Sequence, residues 1–253
     1  MTPSSSIDYL GIGWDVGGWC GTKQAVAIVG WSVGDSALHW LGVSPAFSLS
    51  RRRPLSLASL LAPALQGNIG LPDTQRQAIA IDASLAFPRA FCQLLLGQGD
   101  PQPQVPSSEL DNPLAYRDCE RWLYRAYGKK PLSASFDKLG NNSTLALSLL
   151  PALQAQGYRL VPQHATTAQQ AIIEAYPALL KQGFRADQAA RPALAGLLPA
   201  ELAPGSDRYD AALCALMALA FASQGRCPLL PPLIPPPDSQ PHDEGWIYHF
   251  APD

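Results

Sequence analysis

Five acidic residues stand where a carboxylate could do chemistry. In Tyr9-Leu-Gly-Ile-Gly-Trp-Asp15 an apolar run ends in an aspartate. Strand alternation puts Gly11 and Gly13 on the face of Asp15, and Leu10, Ile12 and Trp14 on the other. Ala78-Ile-Ala-Ile-Asp82 repeats the pattern, with Ala78 and Ala80 sharing the face of Asp82. A charge at the end of an apolar strand is costly unless it is paired or metal-bound. The small neighbours leave room for another element or a ligand to approach. Asp207 and Asp210 are three residues apart and share one face of a helix that continues through Ala211, Cys214, Ala215, Ala218 and Ala222. Glu174 ends a further apolar run, Ile172-Ile173-Glu174. Carboxylates gathered in one pocket repel each other and stay ionised together only when cations neutralise them. Oxygen-only ligation selects Mg²⁺ or Mn²⁺ rather than zinc. Two such ions, about 3.5–4 Å apart, can activate water and stabilise the leaving oxygen in phosphodiester cleavage.

Each acid also has a plain structural reading. Asp15 and Asp82 could open turns, Asp207 could cap its helix, Asp210 could complement the helix dipole, and Glu174 could be an exposed strand-end charge. Arg117 and Arg121, four apart with Glu120 between them, could hold a phosphate bidentately or form a local ion-pair set. Lys23, just past a Gly-Gly turn, is a third candidate for substrate binding. Arg51-Arg52-Arg53 could touch a phosphate backbone but reads better as a solvated face. His39, His164, His242 and His249 show no ligand spacing and read as structural or surface residues.

The elements that must position these groups follow from periodicity and punctuation. Tyr9–Asp15, Lys23–Trp31 and Ala37–Val43 read as three strands joined by Gly-rich turns, an antiparallel meander. Leu55–Leu65 carries leucines at helical spacing, and Gln77–Asp82 is a strand. Helices are expected over Pro113–Tyr127, Ser143–Gln156 and Arg208–Ser223, and short strands over Tyr158–Val161 and Ala171–Glu174. That order points to an α/β layered sheet of mixed strand direction. The 253 residues suffice for one domain with its own core.

Charged residues make up only 15 %, and the net charge is −2. That excludes a polyelectrolyte, a coiled coil or a charge-driven disordered chain. It also gives no cationic excess of the kind that holds duplex DNA by attraction alone. Twenty-five prolines, about double the usual ~5 %, concentrate in two stretches, 97–113 and 228–242, that read as extended loops over the body. The five cysteines are widely spaced with no C-x-x-C pair, which suits a reducing compartment better than a disulfide framework or zinc site. The opening residues lack a secretory signal pattern, and the longest apolar run, Ala211 to Ala222, is too short for a bilayer. A cytoplasmic protein without membrane association is expected.

The ordered set Gly13-Trp14-Asp15, Ile79-Ala-Ile-Asp-Ala-Ser-Leu85, Arg117-Asp-Cys-Glu-Arg121, Ile173-Glu-Ala-Tyr-Pro177 and Asp207-Arg-Tyr-Asp-Ala-Ala212 resembles the DUF429 family of predicted nucleases. The closing Glu244-Gly-Trp-Ile-Tyr248 is also similar to how many members end. Ser84 departs from the proline usual there, and the two proline-rich loops are unusual in length. The resemblance implies a ribonuclease H-like fold, a five-stranded mixed sheet of order 3-2-1-4-5 flanked by helices. In that order Asp15 and Asp82 are neighbours, the last helix brings Asp210 and Asp207 over them, and Glu174 lies near on the fifth strand. It implies a nuclease acting on nucleic acid with Mg²⁺ or Mn²⁺. Asp15, Asp82, Asp207 and Asp210 would be metal ligands and Glu174 a further catalytic acid. Two other functions suit the residues: an actin-like ATPase or phosphotransferase, with Asp15-Val-Gly-Gly18 as the phosphate loop, and a non-catalytic scaffold whose proline-rich loops bind a protein partner.

Overall fold

A computed structural model describes residues 6–66, 70–137, 139–163, 168–238 and 243–251. His164, His242, the opening segment 1–5 and the end of the second proline-rich stretch, 239–242, lie outside the described residues. In chain order the strands are β1 (Tyr9–Asp15), β2 (Ala25–Trp31), β3 (His39–Val43), β4 (Arg76–Asp82), β5 (Arg159–Leu160), β6 (Gln170–Ala175) and β7 (Ile247–Tyr248). The helices are α1 (Leu57–Leu65), α2 (Arg89–Leu95), α3 (Asp118–Tyr127), α4 (Gly140–Ala155), α5 (Pro192–Ala195) and α6 (Asp207–Ser223).

All seven strands join one sheet with the path β3-β2-β1-β4-β6-β5, and β7 also pairs with β6. The first three strands form the expected antiparallel meander, and β4 and β6 add in parallel. The sheet therefore exceeds the expected five strands by two short ones, β5 and β7, both beside β6. A two-residue strand carries no periodicity, so β7 leaves no pattern in the sequence.

Alternation along β1 and β4 sorts the core into two halves. Leu10, Ile12, Trp14, Ile79 and Ile81 pack with residues of α1 and α4 on one face. The small face, Ala78 and Ala80 with the β1 glycines, is covered by α6. A Cβ built on Gly13 would lie 2.0 Å from the Ala211 carbonyl oxygen, and one on Gly11 would lie 2.3 Å from that of Ala215. Glycine at these two positions is thus what lets the helix backbone settle onto the strand. The contacts also set direction: α6 runs antiparallel to β1, so its first turn sits over Asp15. Its other sides are covered by chain from 178–202 and 227–250, which buries it all round.

Residues 97–113 carry no helix or strand and are mostly exposed, as the prolines require. Segment 228–238 is tied down by the Ile234 N–H donating to the His249 carbonyl at 2.8 Å. No helix among the described residues is long and apolar enough to cross a membrane. The five cysteines form no disulfide.

Candidate functional site

The parallel pairing of β1 with β4 places Asp15 directly opposite Asp82. Neighbouring strands are about 4.8 Å apart, so two carboxylates leave the same sheet edge side by side, on the face covered by α6. Asp210, in the first turn of α6, joins them from above. All three line one cavity of about 370 Å³, together with Ser84, Asn142, Tyr176 and the pair Lys129 and Lys130. Asp207 does not line this cavity but is near enough for its charge to act on Asp15 and Asp210. The N-cap of α6 is Ser206, whose hydroxyl accepts from the Tyr209 N–H at 3.2 Å, so Asp207 is not the cap.

The three aspartates have one compensating cation between them, Lys181. Burial, then the charges of Asp82, Asp210 and Asp207, push the Asp15 carboxyl well above the usual range. Burial and Asp210 push Asp82 up to about 8. Burial also raises Asp210, against the pull of Lys181. No hydrogen bond from the described residues holds the carboxylate of Asp15 or Asp82. The donor set fits a hard dication in its chemistry, being oxygen-only and short of positive charge. It is not a finished cage: among the described residues no group of three or more His, Cys, Asp or Glu side chains stands arranged to hold a metal ion. Asp15 and Asp82 are free to act as ligands, while Asp210 is engaged by Lys181, whose Nζ lies 2.5 Å from its Oδ1.

Glu174 is placed differently from expectation. Its in-register partner on β4 is Ile81, not Asp82, so alternation points it to the opposite face of the sheet. It still lines the wall of the same cavity and its charge acts on Asp82, but it is 4 % exposed and its carboxylate is fully engaged. Arg117 Nη2 donates to its Oε1 at 2.6 Å, while Arg117 Nη1 and the Leu85 N–H donate to its Oε2, each at 2.8 Å. It is neither an exposed strand-end charge nor a free ligand.

Arg117 is not offered to a substrate either. It is 0 % exposed and clamped between Glu120 and Glu174, with further bonds to the Ser84 hydroxyl and the Glu244 carbonyl. The helix begins at Asp118, later than the expected Pro113, and Arg117 holds its extended N-cap position. Glu120 at N3 reaches back to the Arg117 N–H at 2.8 Å, the return bond of a capping box. Arg121 pairs with Asp118 at 2.5 Å and lines a separate hollow with Asp111, Tyr124 and Arg125. Lys23 and Arg51–Arg53 are exposed and do not line the acidic cavity. His39 pairs with Asp35 at 2.6 Å, and His249 is buried against the Tyr127 hydroxyl at 3.0 Å, both structural positions.

Three cavity residues, Lys129, Lys130 and Tyr176, and the adjoining Lys181 escaped the sequence reading. Lys181 sits in an irregular segment with no periodicity to mark it. Lys129 and Lys130 follow Gly128, the left-handed C-cap of α3, and their adjacency just past a helix end was the available signal. Tyr176, between Glu174 and Pro177, has its phenol pushed up by burial and by the charge of Asp82, and so stays neutral. In the loop Asp15-Val-Gly-Gly18 the Gly17 N–H is already engaged. It donates to Gln24 Oε1 at 3.1 Å, and just past the loop the Trp19 N–H donates to Asn141 Oδ1 at 3.2 Å.

No family model, curated protein or solved structure matches this chain.

Proposed function

We propose that the protein is a metal-dependent phosphodiesterase acting on nucleic acid, a ribonuclease H-like nuclease of the DUF429 kind. One observation carries the reading: Asp15 and Asp82, in register on adjacent parallel strands, face a cavity in which Asp210 adds a third half-buried carboxylate. Burial of like charges without partners is unfavourable for the fold alone and favourable for holding a cation. Asp15 and Asp82, with Asp210 beside them, would hold Mg²⁺ or Mn²⁺. The ion, when bound, supplies a Lewis acid that lowers the pKa of water and neutralises a developing oxyanion.

The chain's own residues contribute the rest. Lys181 orients Asp210. Lys129 and Lys130 bring positive charge to the mouth of the cavity, where a phosphodiester must approach two aspartates. Lys130 is steadied by Glu109 at 2.5 Å. The Tyr176 phenol, kept protonated, can donate to a phosphate oxygen. The Gly17 N–H of the Asp15–Gly18 loop is already used, which leaves an actin-like phosphate cradle one donor fewer.

The test is cleavage of single-stranded, duplex, hybrid and branched nucleic acids with Mg²⁺ or Mn²⁺. Activity on at least one class is expected, falling about 100-fold or more in Asp82→Asn. Cleavage undiminished in that variant removes the mechanism.

A further inference from the structure

A buried ammonium inside an acidic pocket changes how many dications the pocket can take. Lys181 is 1 % exposed. Its Nζ makes the 2.5 Å contact with Asp210 Oδ1, donates to the Ala186 carbonyl at 2.6 Å and lies 6.0 Å from the centre of the Tyr209 ring. Its backbone is fixed on both sides, by the bridge to Ala190 and by the 3.0 Å bond from the Arg191 N–H to the Leu180 carbonyl. Tyr209 is held in turn, its hydroxyl accepting from the Ala190 N–H at 2.7 Å. The amine is therefore built into the cluster rather than swung over it from the surface.

The carboxylates that line the cavity then sort by partner. Glu174, the fourth acid expected at the site, lines the cavity too, but its oxygens are held by Arg117, which it shares with Glu120. Lys181 neutralises one of the remaining three carboxylates. Of the aspartates that line the cavity, the neighbouring Asp15 and Asp82 are left without a cation of their own, and one dication between them matches both. A second dication beside Asp210 would lie within a few ångströms of a fixed ammonium, a like-charge contact in a partly desolvated site.

We infer that Lys181 is a resident cation taking the place of a second metal ion, and that the site holds one dication between Asp15 and Asp82. Lys181 is in this sense a positioning residue: it fixes Asp210 and sets the metal count. The inference rests on the metal-binding reading above and adds stoichiometry to it.

Titration of the full chain with Mn²⁺, with the free ion followed by electron paramagnetic resonance, tests it without reference to activity. One ion per chain is expected for the wild type and for Lys181→Arg, and two for Lys181→Gln, which frees Asp210. Two ions in the wild type, or one in a folded Lys181→Gln, overturn the inference and leave the metal-binding reading intact. No bound ion in the wild type removes both. Should circular dichroism find Lys181→Gln unfolded, the wild-type count decides, one ion supporting the inference and two overturning it.

Discussion

Two groups of buried charge adjoin at the carboxyl end of the sheet and are wired in opposite ways. In the first, Arg117 is enclosed by Glu120 and Glu174, and every polar atom of its guanidinium has a partner. The nearby Glu244 takes the Arg89 and Asp118 N–H groups at 2.7 and 2.8 Å, tying the chain's closing segment to the starts of α2 and α3. In the second, Asp15, Asp82 and Asp210 share a single ammonium. The first group is fully buried and the second half-buried at a cavity, and the two differ above all in pairing. A saturated network holds elements together. An unsaturated one of a single sign costs stability and makes sense where a cation or substrate completes it.

The sharpest break of that contrast is on the paired side. Arg117→Met leaves two glutamates buried without their cation and is expected to destabilise the protein by about 3–5 kcal/mol, measured by urea denaturation. Gly13→Ala attacks the joint that brings Asp210 to the other two aspartates. Its methyl meets the α6 backbone rather than a flexible side chain, and a loss of about 3 kcal/mol is expected in the same measurement.

On the unpaired side the sign reverses. The folded-state pKa of Asp82 stands at about 8 against an ordinary 3.8. Its penalty is therefore absent below the unfolded value, grows as pH rises and is complete above the folded one. Metal-free wild-type protein should lose stability from pH 5 to pH 8. Asp82→Asn should be the more stable by roughly 2 kcal/mol at pH 8 and nearly equal to wild type at pH 4. Thermal melts at the two pH values decide it, and a variant less stable than wild type at pH 8 would show the acid to be structural. The smallest effect belongs to Arg121, an exposed-side partner of Asp118. Arg121→Ala should change stability by less than about 1 kcal/mol and leave any Mg²⁺-induced rise in Tm as it is in wild type.

The long elements were legible because their periodicity is local. β1 runs from Tyr9 to Asp15 as read, α1 and α6 fall within two residues of expectation, and the meander is as the Gly-rich turns imply. The glycines and alanines facing Asp15 and Asp82 also announced a close-packed neighbour, and α6 is that neighbour. Short β7 and the short helices α2 and α5 had no such signature.

Within the site, the sequence by itself determined which aspartates end strands and which small residues flank them, since alternation depends only on neighbours along the chain. Three things were left to the tertiary structure. Strand register, a long-range property, set Asp82 opposite Asp15 but Glu174 opposite Ile81, and that one residue of offset turned Glu174 toward Arg117 at the cavity wall. Arg117 became a buried clamp rather than a phosphate ligand because two glutamates, one of them 57 residues away, converge on it. Lys181 reached Asp210 through a fold of irregular chain that has no period to read. Pairing between buried charges is decided by where distant segments meet, and that is written in packing rather than in spacing.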